Sequence, residues 1–316
     1  MRLQIPYLLL KSARPRQWIK NFALYAALFL SGFLFYVPNE GPAYFWTVTY
    51  AFFIFCLLTS SVYLINDIVD AKEDSQHPFK KKRPIASGEL PIPVAAFAAM
   101  VGIATVFFLS LSLPSFFRIL VLLYLGLQIF YATKLKHIPI LDVISIASGF
   151  LIRVYAGAII VELHMSVWFL LTVVSASLFL AVGKRQSERT LLKSHQVSPS
   201  RKTLKHYSQQ LLNQYIAMFA NATWLTYAIF SFQHESVSIE PQQRFLNLYT
   251  ILPRTLQSQK LLMLTLPFVI FGVMRYLQLV YEENKGESPE RVLLNDIPLL
   301  GTVFTFGLVS FLVIYF

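Results

Sequence analysis

One cysteine in 316 residues, Cys56 in an apolar run, excludes an internal disulfide and reads as a small buried hydrophobe. Charge is scarce too: 14% of residues are charged and 56% are hydrophobic, with a mean hydropathy of +0.56. A water-soluble domain cannot hide that much apolar surface, so most of it must face lipid or neighbouring helices. No cleavable leader is evident, because the apolar run from Ile5 to Leu10 is too short and basic residues follow it. No nucleic-acid recognition module accompanies the formal charge of +11. Those cations sit in short segments beside apolar runs, where membrane topology, anionic lipid and phosphorylated ligands account for them.

What is present is a series of long apolar runs, and the fold they imply is all-α. The chain reads as one polytopic domain over 1–316 with nine spans near 22–37, 44–65, 92–113, 117–133, 139–161, 165–183, 209–232, 261–281 and 296–316. Lys and Arg concentrate in 11–20, 66–91, 134–138, 183–208 and 283–294, whereas the opposite loops hold only Arg118, Arg244, Arg254 and Lys260. Basic residues favour cytoplasmic segments, so the N-terminus is expected inside and the C-terminus outside. The two longest cytoplasmic loops, 66–91 and 183–208, are expected to meet over one cavity, as in folds built from two related halves. The outer segment 233–260 is expected to lie along the membrane surface.

The densest chemistry is Asn66-Asp67-Ile-Val-Asp70-Ala-Lys-Glu-Asp74, followed by His77-Pro78 and Lys80-Lys-Lys-Arg83-Pro84. On a helix Asp67, Asp70 and Asp74 share one face, while Glu73 falls off it. Like charges so placed repel unless something sits between them. Mg²⁺ takes carboxylate oxygens and keeps the rest of its shell for water and phosphate, and Asn66 adds a neutral oxygen. Lys80 and Arg83 would then hold phosphate oxygens that the metal leaves free. Asp67, Asp70, Asp74 and Asn66 are therefore the expected metal set. No second histidine stands at a useful spacing from His77, which reads as a loop residue.

Three further clusters are basic. Tyr131-Ala-Thr-Lys134-Leu-Lys136-His137 closes one span, and Asp142 opens the next. Arg153, eleven residues beyond Asp142, lies on nearly the same helical face and about 16 Å deeper. A guanidinium at that depth needs a partner or a wet cavity, so both a structural and a substrate role stay open. Gly183-Lys184-Arg185-Gln-Ser-Glu188 ends the sixth span. Near the N-terminus, Arg14-Pro-Arg16-Gln-Trp18-Ile-Lys20-Asn21 combines an interfacial Trp with cations. Arg14, Arg16 and Trp18 are explained as membrane-surface residues, and Lys20 and Asn21 as candidates for the cavity.

These residues resemble the UbiA superfamily of intramembrane prenyltransferases, whose hallmark Asn-Asp-x-x-Asp-x-x-x-Asp is matched by Asn66, Asp67, Asp70 and Asp74. Five blocks look like the decaprenyl-phosphate phosphoribosyltransferase branch: Arg14 to Asn21, His77 to Gly88, Leu135-Lys136, Ser148 to Arg153, and Gly183 to Arg185 with Glu188. They cover most of 14–190; the last third matches mainly in hydrophobic character. One departure bears on substrate: aromatic-acceptor prenyltransferases carry a second Asp-rich motif where this chain has Lys184-Arg185-x-x-Glu188. Cations there suit a further anionic group, since uncompensated phosphates repel in a low-dielectric cavity.

The resemblance implies a nine-helix bundle around a cavity open to the cytoplasm, in the inner membrane of a bacterium. It also implies Mg²⁺-dependent transfer of 5-phosphoribose from phosphoribosyl pyrophosphate to a polyprenyl phosphate, with cell-wall biosynthesis as the setting. Asp67, Asp70, Lys184 and Arg185 would be catalytic. Lys20, Asn66, Lys80, Arg83, Tyr131, Lys134, Lys136, Asp142, Arg153 and Glu188 would bind substrate. The alternative enzyme attaches a polyprenyl chain to an aromatic acceptor. Transport is disfavoured because the polar residues gather at one membrane face. A homo-oligomer is left open.

Overall fold

The computed structural model describes residues 4–76, 80–194, 206–234, 260–283 and 289–316, and every regular element among them is a helix. In chain order these are α1 (Gln4–Ala13), a 3-10 helix (Pro15–Leu24), α2 (Tyr25–Leu30), α3 (Tyr44–Val69), α4 (Ala71–Ser75), α5 (Ile92–Ser110) and α6 (Ser115–Thr133). Then come α7 (Leu141–Ile159), α8 (Val167–Ser194), α9 (Gln209–Gln233), a 3-10 turn (Leu261–Thr265) leading into α10 (Leu266–Tyr281), α11 (Pro289–Asn295) and α12 (Ile297–Tyr315). Among the described residues, seven helical stretches are long and apolar enough to cross a membrane: α3, α5, α6, α7, α8, Leu261–Tyr281 and α12.

Two of the nine expected spans look different. The stretch 22–37 is not one helix, because the 3-10 segment runs to Leu24 and α2 lasts six residues. The stretch 209–232 is a single helix of 25 residues, but Gln209, Gln210, Asn213, Gln214 and Asn221 lower its hydropathy and leave it outside the seven. Its first turn is capped by Ser208, whose Oγ accepts the Leu211 N–H at 3.0 Å. His77 and most of 233–260 lie outside the described residues.

Cα packing divides the chain into two compact units. In the first, Met1–Tyr25 and Trp46–Glu162, α3 and α7 are the inner helices, with 61% and 56% of their apolar windows enclosed, against 22% for α5 and α6. Asn66, Asp67, Asp142 and Arg153 ride on those inner helices. Gly102 lets α5 close on α3, since a Cβ there would collide with Ser61 Oγ, and Gly157 lets α7 close on the Leu24 backbone. Leu8, Leu64, Ile85, Leu90, Ala95 and Ala99 form one apolar cluster joining α1, α3, the loop after α4, and α5. That cluster fixes the loop.

The second unit contains Ala26–Phe45, Leu163–Val197 and Tyr207–Phe316. α8 and α9 pack along each other, and Tyr227 Oη is hydrogen-bonded to Thr265 Oγ1 beneath them. Gly183 leaves room for the Tyr276 ring, which an added Cβ would meet at 2.8 Å. Asp296 caps α12 by accepting the Leu299 N–H at 2.9 Å and pairs with Arg275 at 2.6 Å. Arg275, expected within a span, thus has Asp296 and Glu283 as carboxylate partners.

Candidate functional site

The acidic motif sits where α3 passes into α4. Helical hydrogen bonds continue across the junction, from Asp70 N–H to Asn66 O at 2.9 Å and from Asp74 N–H to Asp70 O at 2.8 Å. Asn66, Asp70 and Asp74 therefore stack on one stripe with Asp67 beside them, as the spacing predicts. Asp67 and Asp74 are buried, at 2% and 4% exposure.

Each carboxylate has a cation. Asp67 accepts from Arg14 Nη2 and, at 3.1 Å, from Arg83 Nη1; the same Arg83 nitrogen pairs with Asp74. Asp70 pairs with Lys136. Arg83 is aimed by its own sequence: Arg83-Pro-Ile-Ala-Ser-Gly88 makes a tight turn, with Ser87 N–H to Arg83 O at 2.8 Å and Leu90 N–H to Pro84 O at 2.8 Å. Gly88 closes the turn at φ +80°, a conformation that suits glycine. Ile85 and Leu90 bury into the apolar cluster, so the hydrophobic anchor and the guanidinium are set by one turn.

Lys136 arrives from another tight connection, the 3-10 turn Leu135–His137 between α6 and α7, with Ile140 at φ +70° before α7. It is the buried lysine of its cluster at 6% exposure, whereas Lys134 is exposed and Tyr131 half-buried. Asp142 is wholly enclosed at the start of α7. Lys20 and Lys80 are half-buried, and Lys81 and Lys82 are exposed.

Arg14 is a partner that sequence reading assigned to the membrane surface. It stands between α1 and the 3-10 helix at φ 54°, ψ 61°, a left-handed conformation uncommon for a side chain other than Gly, Asn or Asp. Its guanidinium lies over the Tyr63 ring at 5.1 Å while pairing with Asp67. The available signal was the Arg-Pro step; the partner 53 residues away was not legible.

Arg153 is buried at 5% exposure among neutral partners: it donates to Asn21 Oδ1 at 2.8 Å, Gly149 O at 2.9 Å and Tyr124 Oη at 2.6 Å, with its charge 4.8 Å from the Tyr124 ring centre. In the second unit Arg185 is fully enclosed and pairs with Glu188 at 2.7 Å, while Lys184 is half-buried. The structure thus brings together Asp67, Asp70, Asp74, Arg83 and Lys136, adds Arg14, and shows Arg153 inside a network of its own.

Among the described residues, no three carboxylates, imidazoles or thiols are gathered to hold a metal ion. The donor chemistry still fits a hard divalent cation: the set is all oxygen, and Asn66 Oδ1 is buried with no hydrogen-bond partner. Collecting the carboxylates on one ion requires Arg83 to release its bridge between Asp67 and Asp74.

The UbiA prenyltransferase family model matches residues 23–295. The decaprenyl-phosphate phosphoribosyltransferase of Mycolicibacterium smegmatis is 36% identical over 231 residues, 72% of this chain and 71% of that protein. The protein of the same name from Mycobacterium tuberculosis is 34% identical, over 72% and 75%. A UbiA homolog from Archaeoglobus fulgidus, solved bound to GPP and Mg²⁺, superposes with a TM-score of 0.68 at 16% identity, covering 97% of this chain and 99% of that one. The same homolog was also solved bound to DMAPP and Mg²⁺, and the fold of this chain is that fold. The chain is an integral-membrane transferase that belongs to the UbiA prenyltransferase family, and its sequence stands beside that family's decaprenyl-phosphate phosphoribosyltransferases.

Proposed function

We propose that the protein transfers 5-phosphoribose from phosphoribosyl pyrophosphate to a polyprenyl phosphate and releases pyrophosphate, with Mg²⁺ bound by Asp67, Asp70, Asp74 and Asn66. The observation that carries this reading is the interleaving of three carboxylates with three cations, Arg14 on Asp67, Arg83 bridging Asp67 and Asp74, and Lys136 on Asp70. Such a site offers oxygen donors for a metal and guanidinium and ammonium groups for several phosphates. The names of the relatives point to the same substrates.

When bound, the metal supplies charge neutralisation on the departing diphosphate. The chain's own residues do the rest. Arg83, Lys80 and Arg14 hold diphosphate oxygens as the bond from the anomeric carbon to the diphosphate oxygen breaks, stabilising charge where it develops. Lys20, Lys134, Lys136, Lys184 and Arg185 hold the ribose phosphate and the lipid phosphate, with Tyr131, Asp142 and Glu188 as the polar groups around them. A lipid phosphate oxygen attacks the opposite face of the sugar, which gives the β-linked product. No strong general base is needed, because that phosphate is already anionic.

The proposed setting is one domain with nine passes in the inner membrane of a bacterium, with the N-terminus and the site cytoplasmic. The distribution of Lys and Arg supports it. The likeness to a GPP-bound homolog favours a second reading, transfer of a prenyl group to an aromatic acceptor. Membranes incubated with labelled phosphoribosyl pyrophosphate and polyprenyl phosphate, with and without Mg²⁺, decide between them. A labelled lipid formed only with Mg²⁺ is expected. Product from prenyl diphosphate and an aromatic acid, and none from phosphoribosyl pyrophosphate, would establish the second reading.

A further inference from the structure

The 3-10 helix Pro15–Leu24 is ten residues long, whereas such helices seldom exceed three or four, and long ones mark strain or hinges. Its contacts with α3 run antiparallel. Arg14 pairs with Asp67, Trp18 Nε1 donates to Ser60 Oγ at 3.0 Å, and Asn21 Nδ2 donates to Thr59 Oγ1 at 3.3 Å and to Cys56 Sγ at 3.4 Å. On α3, the distance from Asp67 back to Thr59 and Cys56 is about 12–16 Å at ~1.5 Å per residue. The seven residues from Arg14 to Asn21 span about 14 Å at the 3-10 rise of ~2.0 Å, but only about 10 Å if wound as an α-helix. The tighter, longer winding is what lets both ends reach their partners at once.

Something must hold the inner end, and α7 does. Gly149, Arg153 and Gly157 form a stripe at every fourth residue. Arg153 donates to Asn21 Oδ1 and to Gly149 O, and Gly157 brings α7 against the Leu24 backbone. Asn21 is fully buried, so its amide joins the guanidinium on α7 to the hydroxyl of Thr59 on α3. The outer end carries the left-handed Arg14. A buried guanidinium among neutral acceptors is costly as a mere packing element, and here it fixes a side chain that ties the segment to α3 and α7.

We propose that Arg153 is a positioning residue: through Asn21 it maintains the 3-10 winding of Pro15–Leu24 and thereby keeps the Arg14 guanidinium on Asp67. This rests on the reading of Asp67 as part of the diphosphate site. Cutting the link lets the segment relax toward an α-helix while Leu24 stays packed against Gly157, so the shortening is taken up at the outer end and Arg14 withdraws from the acidic motif by about 3 Å.

The test uses the full-length protein with Cys56→Ser and spin labels on Arg16→Cys and Lys72→Cys, both exposed positions of the first unit. Electron–electron double resonance is measured with Arg153→Gln, Asn21→Ala and the double variant, and thermal melting in detergent confirms folding. Each single variant should lengthen the label separation by about 3 Å, and the double variant should lengthen it no further. The KM for phosphoribosyl pyrophosphate should rise about tenfold, with a smaller change in kcat. If Arg153→Gln does not fold, Asn21→Ala carries the test. An unchanged separation in a folded variant, or independent shifts that add in the double variant, overturns the proposal. A shifted separation in a protein whose unaltered form does not use phosphoribosyl pyrophosphate overturns the functional reading instead and leaves the positioning role standing.

Discussion

Asp67→Asn is close to isosteric, yet it alters more than any other single exchange at the acidic motif. The native carboxylate is 2% exposed and accepts from two guanidiniums, Arg14 and, at 3.1 Å, Arg83. Both guanidiniums donate to the same Oδ1, so an asparagine can keep that acceptor but brings no negative charge to balance them. Removing one partner from a buried ion pair costs about 3–5 kcal/mol. Both arginine side chains keep 28% exposure, so water takes over part of the lost interaction. A destabilisation of about 2–3 kcal/mol is expected. Turnover should fall further, by about 10²–10³-fold, because the same oxygen is proposed to carry the metal as the diphosphate departs. Unfolding in detergent reads the first quantity, and labelled-lipid formation at saturating Mg²⁺ and donor reads the second. Wild-type turnover by a folded Asp67→Asn protein would refute the site. A rate loss no larger than the stability loss explains would refute the metal role.

Four other outcomes follow from the same geometry. Lys136→Ala leaves Asp70 without its buried ammonium and should lower donor use by at least about tenfold, while Lys81→Ala, on an exposed lysine, should change it by less than about twofold; donor KM measured for both checks this. Chelation of divalent ions should abolish transfer, and added Mg²⁺ should restore it, as followed by product formation. Gly157→Ala forces a Cβ into the Leu24 backbone and should destabilise the first unit by about 1–3 kcal/mol, read by thermal melting. Asp296→Ala removes the α12 cap and one of the two carboxylate partners of Arg275, costing about 1–3 kcal/mol in unfolding measurements with donor KM unchanged.

The acidic stripe was legible because its information is local. A helix period and the residues Asn66, Asp67, Asp70 and Asp74 suffice, and the hydrogen bonds across the α3–α4 junction preserve that period. Arg83 was legible through its Pro-Ile-Ala-Ser-Gly run, although the anchoring of that run by Ile85 and Leu90 was not. Arg14 was missed because a cation near an interfacial Trp is fully explained by topology, and only a contact across 53 positions distinguishes it. For Arg153 a structural role beside a buried carboxylate or carbonyl stood open with a substrate role; Gly149 O is such a carbonyl, while Asn21 and Tyr124 were not legible because they come from distant segments. Hydropathy found α3, α5, α6, α7, α8 and α12 because continuous apolar runs suffice for a long helix. It could not show that Pro15–Leu24 winds as a 3-10 helix, since that winding answers to partners on α3 and α7.

The lengths of the helices in the first unit set a depth. α5 and α6, of 19 residues each, measure about 28 Å, close to the ~30 Å of a hydrocarbon core. α3, at 26 residues, measures about 39 Å and overshoots by roughly 10 Å. Its apolar body begins at Tyr44 with Phe45 and Trp46, so the excess is carried at the end that bears Asn66 and Asp67. In the proposed setting that end would lie in the headgroup layer, where a lipid phosphate would already reside and a water-borne phosphate could arrive without crossing oil. An amphiphile and a soluble sugar phosphate can meet there with neither leaving its own phase. On that reading, shortening α3 by two turns would draw the carboxylates toward hydrocarbon and part the two proposed reactants before any contact residue was changed.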